Sequence, residues 1–130
     1  MSKRGNDELV EDISEATRRL EIYSQDMDYG AFLEDIKTQD AVIRNFEIIG
    51  EAAKNITDDF KKKHQNIPWK DLAGIRDKLI HHYFGVNLEV VWYILKDDLP
   101  LLKDEIRRIT EKKMFNKDDI GVLNTLTENH

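Results

Sequence analysis

An all-α fold, a compact antiparallel bundle of four long helices with short extra ones, is what this sequence predicts, and three observations predict it. Apolar residues recur at steps of three and four through nearly every segment, the spacing that puts them on one face of a helix. Gly and Pro, the residues that punctuate helices, number six and two in 130 residues. Hydrophobic residues make up 40% and charged residues 35%, enough apolar material for one compact core beneath a solvated surface. The 130 residues are therefore expected to form a single domain.

The first helix spans about 7–23, where Leu9, Ile13, Ala16, Leu20 and Tyr23 step by four and three. "QDMDYG" follows, with a glycine and two aspartates suited to a turn and a helix start. A long second helix is expected over about 31–56. Its stripe runs through Phe32, Ile36, Ile43, Phe46, Ile49, Ala53 and Ile56, with Gln39 as the one polar member. Val42 and Ile48 widen that stripe, so this helix should pack against more than one partner. Gly50, with Ala52 and Ala53, removes bulk where a neighbouring helix can approach.

Thr57 can cap a short third helix, "DDFKKKHQ", which holds the most basic run of the chain in Lys61, Lys62 and Lys63. Such a run is ordinarily a solvated face. Pro68 disfavours helix at Ile67 yet suits a first turn, which places a fourth helix over about 69–81, with Gly85 as its natural stop. Asn87 can cap the next helix, and Pro100 either restarts or kinks the chain before "LLKDEIRRITEKKMF". From about 116 to 130 the pattern decays into a polar tail, either loose or docked weakly through Ile120, Val122, Leu123 and Leu126.

Composition excludes several chemistries. With no cysteine, there is no disulfide, thiolate metal site or cysteine nucleophile, and a reducing cytoplasm is the expected compartment. "MSKRGNDELVED" has no apolar run behind its basic residues, and no stretch reaches the ~18 apolar residues of a membrane span, so a soluble, unexported protein with no membrane partner is expected. The net charge of −6 argues against a general nucleic-acid coat but is silent on a small, locally basic cleft.

The candidate chemistry lies in "IRDKLIHHYFG", which gathers Arg76, His81, His82 and Tyr83 into eight residues. Taken alone, the group has an ordinary structural explanation: Arg76 pairs with a carboxylate, His81 sits at a helix C-terminus where a cation suits the dipole, and Tyr83 packs at the core's edge. On an ideal helix Arg76 and His81 point about 140° apart. They can serve one site only if the helix ends near His81, or if the site lies between two copies of the helix across a symmetric interface. His81 and His82 are adjacent and lack the i, i+4 arrangement of a helical metal pair, so no metal is expected. His64 and His130 are expected at the surface, and Trp69 and Trp92 in the core. Glu51, beside Gly50, is either structural or the lining of a polar cleft.

Three stretches, "FEIIGEAAKNI", "IPWKDLAGIRDKLIHHYFGVNLEVVWYIL" and "DLPLLKDEI", together resemble the HepT family, HEPN-type toxins paired with minimal nucleotidyltransferases. The resemblance covers about residues 7–112, and the R-x4-H-x-Y signature stands intact as Arg76, His81 and Tyr83. It implies a HEPN-like bundle and a metal-independent ribonuclease, without cofactor, whose R-x4-H pair is Arg76 and His81. Asp77 occupies the usually polar position after the arginine and is expected to support the site. Tyr83 matches the tyrosine to which the partner nucleotidyltransferase attaches AMP, silencing the toxin, while His82 occupies a variable position with no defined role. The implied partners are RNA, the cognate nucleotidyltransferase and a second copy of the chain.

The residue types suit RNA cleavage. RNA carries its own nucleophile, the 2′-hydroxyl, so the protein must supply a proton acceptor, a proton donor and stabilisation of the phosphorane charge. An imidazole titrating near neutrality and a permanently charged guanidinium meet those needs. The alternative is a non-catalytic bundle that binds a nucleotide or serves as scaffold for its nucleotidyltransferase, for which the triplet would be unnecessary.

Overall fold

The computed structural model describes residues 4–81 and 87–114, with the side chains of residues 76, 80, 81 and 112–114 excepted. All regular structure among the described residues is helical: α1 (Asn6–Ser24), α2 (Tyr29–Glu34), α3 (Ile36–Asn55), α4 (Asp58–Lys63), α5 (Trp69–His81), α6 (Leu88–Tyr93) and α7 (Leu99–Met114), with a π-helical segment, Ile94–Asp98, joining the last two. Four long rods result, because α6, the π segment and α7 run on as one. They form the helical bundle that the periodicity predicts, with α2 and α4 as the short extras.

The core is built from the predicted stripes. Leu9, Ile13, Ala16 and Leu20 of α1 face Val42, Phe46, Ile49 and Ala53 of α3, and all are buried. α3 packs on α1 along one side and on α5 along another, which is why its stripe is wide, and Gly50, Ala52 and Ala53 are all buried between neighbours. Against this core α5 sets Trp69, Leu72, Ile75 and Leu79, and α7 sets Leu99, Leu102 and Ile106.

The expected long second helix is broken in two. Asp35 caps α3, its carboxylate accepting from the Thr38 N–H at 3.0 Å and from the Thr38 hydroxyl at 2.6 Å. These two bonds hold the Asp35 carboxyl below its usual range, the hydroxyl bond contributing most. Gln39 reaches back to donate to the carbonyls of Phe32 and Leu33, closing the end of α2. The polar residue that interrupts the stripe is thus what satisfies the broken helix. As a result Ile36, predicted in the core, is 71% exposed. Tyr23 is likewise exposed, and Ser24 is buried instead, its hydroxyl bonded to the Leu20 carbonyl.

Other helix ends follow the predicted chemistry. Asp26 takes a left-handed φ of 59° in the turn, which aspartate tolerates, and Asp28 caps α2 through the Ala31 N–H. Thr57 caps α4 and also exchanges two hydrogen bonds with Asn6, tying the start of α4 to the start of α1. Asn87 caps α6 through the N–H groups of Glu89 and Val90. The rod runs on through Pro100 rather than restarting there: proline has no N–H to donate and crowds the carbonyl four residues back, and the π segment immediately before it takes up the misfit, with the Leu99 N–H bonding to the Ile94 carbonyl. The expected helix stop at Gly85 and the tail of residues 115–130 lie outside the described residues.

Candidate functional site

α5 is held from its N-terminal end. Pro68 begins the turn into it, and the Trp69 indole N–H donates to the His64 carbonyl at 2.9 Å. Phe60 of α4 stacks on His64 at 4.4 Å and meets Trp69 edge-on at 6.0 Å. His64, expected at the surface, is half-buried in this cluster, because the short α4 folds back over the turn. α4 and the first turn of α5 are thereby clamped into one corner.

From Trp69 onward the helical register assigns each position. Trp69, Leu72, Ile75 and Leu79 are buried against α3. Arg76 stands four residues after Leu72 and seven after Trp69, so its backbone position is on the flank of that packed face. Lys70, Gly74, Asp77 and His81 follow at i, i+4, i+7 and i+11 on the opposite, open face, where Lys70 and Asp77 are exposed and nothing stands within 4 Å of a Cβ at Gly74. Arg76 and His81 are thus about 140° apart around one helix and about 7.5 Å apart along it. Their side chains, and His82 and Tyr83 altogether, lie outside the described residues. Glu51 is exposed on α3, its carbonyl accepting from the Asn55 amide at 2.8 Å.

Beside α5 runs an open groove of about 600 Å³, with Leu72 and Ile75 on one wall and Val90, Tyr93, Leu101 and Leu102 of the α6–α7 rod on the other. Val90, Tyr93 and Leu101 are 44%, 59% and 68% exposed. Trp92, on the opposite side of α6 from the groove, meets Phe32 at 5.1 Å and Tyr29 at 6.1 Å and carries the Lys96 ammonium over its ring at 4.7 Å, a structural role in keeping with its stripe. Residue spacing along the chain does not reveal the groove, because it forms between two rods that only tertiary packing brings together. Among the described residues no His, Asp and Glu side chains gather in threes to hold a metal ion, and no helix is long and apolar enough to cross a membrane.

The all-α bundle is of the HEPN-like class, and Arg76 and His81 stand five positions apart on one of its well-packed helices. The chain belongs to the HepT-like ribonuclease family, whose model, described as "Ribonuclease HepT-like", matches residues 13–109. It is similar to "Probable ribonuclease HepT" of Thermococcus cleftensis, 49% identical over 107 residues, covering 82% of this chain and 97% of the relative. It is also similar to two proteins of Methanocaldococcus jannaschii that carry provisional RNase names. One is 44% identical over 111 residues (85% of this chain, 89% of the relative), and the other is 40% identical over 119 residues (92% and 98%). No solved structure matches.

Proposed function

We propose that this HepT-family ribonuclease is the toxin of a toxin–antitoxin pair, a single-domain cytoplasmic endoribonuclease that cuts RNA without a metal ion in a cleft shared by two copies of the chain. The observation that carries the reading is the placement of Arg76, Asp77 and His81 together on α5, inside the family-matched segment and beside an apolar groove.

In this reading Arg76 grips the phosphate oxygens and stabilises charge on the phosphorane, while His81 exchanges protons with the attacking 2′-hydroxyl and the leaving oxygen. Asp77, one turn before His81 on the open face, supports the site. Positions 140° apart on one helix converge most simply when a second α5 faces the first, so that the arginine flank of one copy meets the histidine face of the other. The groove supports that arrangement, since solvent-exposed Tyr93 and Leu101 beside it are apolar surface that association would cover. Tyr83 is the acceptor for AMP from the cognate nucleotidyltransferase, and the added phosphate competes with RNA for Arg76.

An RNA-cleavage assay in EDTA, with the parent beside Arg76→Ala and His81→Ala, tests the reading. Cleavage by the parent alone, with all three melting within a few degrees of one another, is the expected result; undiminished cleavage by either variant removes that residue from the mechanism. Incubation with the nucleotidyltransferase, ATP and magnesium should add AMP mass to the parent and none to Tyr83→Phe. A gain that persists in Tyr83→Phe places the modification elsewhere.

A further inference from the structure

The chain is acidic as a whole but not around α4. Between residues 54 and 78 it holds seven Lys and Arg against four Asp, a local charge of +3 in a protein of net −6. The six lysines of this segment, Lys54, Lys61, Lys62, Lys63, Lys70 and Lys78, share a property that is concentrated here. None of them makes an ion pair or side-chain hydrogen bond with a described residue, although Asp58, Asp59, Asp71 and Asp77 are close in sequence. All but the half-buried Lys61 are exposed.

Their placement is fixed. The Trp69–His64 hydrogen bond and the Phe60–His64–Trp69 ring cluster lock α4 onto the start of α5, so Lys61–Lys63 and Lys70 belong to one rigid corner. From Lys70 the open face of α5 runs through Gly74 and Asp77 to His81, a rise of about 16 Å, and the absence of a side chain at Gly74 leaves the path along the backbone unobstructed. Unpaired ammonium groups keep their counterions until a polyanion displaces them, which is how a basic surface binds a nucleic-acid backbone without reading its sequence.

We infer that the lysine corner of α4 and the first turn of α5 is the docking surface for the phosphate backbone of single-stranded RNA, holding the strand along the open face of α5 away from the cut. This rests on the ribonuclease reading for its substrate. The lysines are positioning residues: they set affinity and its salt dependence and leave the chemical step unchanged.

The test compares the full chain with a Lys62→Ala/Lys63→Ala/Lys70→Ala triple variant and with a triple Lys→Arg variant. Binding of a labelled mixed-sequence single-stranded RNA is measured in a His81→Ala background, from about 50 to about 200 mM salt, alongside cleavage kinetics with His81 intact. The triple alanine variant should weaken binding at least about tenfold at the lower salt and flatten the slope of log affinity against log salt by about 2, since each single-strand phosphate contact contributes about 0.7. KM should rise with kcat retained, and the arginine variant should restore both affinity and slope. Unchanged affinity and slope overturn the inference, and cleavage by the parent in that case leaves the ribonuclease reading standing. Binding that falls as expected in a parent that cleaves nothing supports the corner and sinks the ribonuclease reading. An alanine variant that binds RNA normally but is no longer modified by the nucleotidyltransferase gives the corner to the protein partner and overturns the inference.

Discussion

On the α1–α7 side of the bundle every described cation is occupied: Arg18 and Arg19 by Glu15, Lys103 by Glu21 at 2.6 Å, Arg107 by Asp104 and Arg108 by Glu105. On the α4–α5 side six lysines have no such partner among the described residues. The apolar residues divide in the same way. α1 buries its stripe against α3 and α7, whereas α5 and the α6–α7 rod leave a groove bordered by exposed Tyr93 and Leu101. A surface whose charges are satisfied internally has little to offer a ligand. One face therefore maintains the fold, and the other leaves cations and apolar side chains exposed.

The sharpest way to break this comparison is to exchange the costs. Ile13 is fully buried where α1 meets α3, so Ile13→Ala should lower unfolding stability by about 2–5 kcal/mol in a denaturant titration. A loss below about 1 kcal/mol would mean that the α1–α3 seam is not where stability resides. On the other face, Tyr93→Asp with Leu101→Asp should leave the monomer's stability nearly unchanged. It should raise the dimer dissociation constant at least about thirtyfold, as removal of a buried aromatic anchor does. Sedimentation across a concentration series checks it, and a parent that is already a 15.3 kDa monomer at high concentration would end the shared-cleft model.

The smallest effect sharpens the charge half of the comparison. Arg18, and after it Arg19, hold the Glu15 carboxyl down from 4.5 to about 2. A depressed carboxyl stabilises the folded state above its unfolded pKa and loses that contribution as pH falls through the folded one, so the window is from about 4.5 down to about 2. Because the Glu15 side chain is 45% exposed, solvent screening keeps the effect slight. Glu15→Gln should melt marginally below the parent at neutral pH, and the two should converge by pH 2, with the difference shrinking in high salt. A gap that persists at pH 2 would show that the glutamine perturbs something besides the pair.

What the chain itself made legible was local. Thr57 and Asn87 announced their helix starts, and Pro68 announced α5, because capping and φ restriction act over a few residues. Asp35 carried the same kind of signal, with Thr38 three residues on, yet the apolar stripe running through Ile36 outweighed it. The candidate site is legible as a spacing, Arg76 to His81, and the spacing also shows that one helix does not bring the two together.

The sequence by itself determined the helices, the width of the α3 stripe and the position of the motif on α5, since periodicity is a property of residues three and four apart. Only the tertiary structure decided that Ile36 and Tyr93 face solvent, that His64 is drawn under Phe60, and that Lys103 finds Glu21 while Lys62, Lys63 and Lys70 find no carboxylate among the described residues. Burial and charge pairing depend on which rod comes to lie beside which: Lys103 and Glu21 are 82 residues apart in the chain, whereas the aspartates closest in sequence to the lysines make no bond to them, because local order sets which face a side chain occupies and packing sets what that face meets.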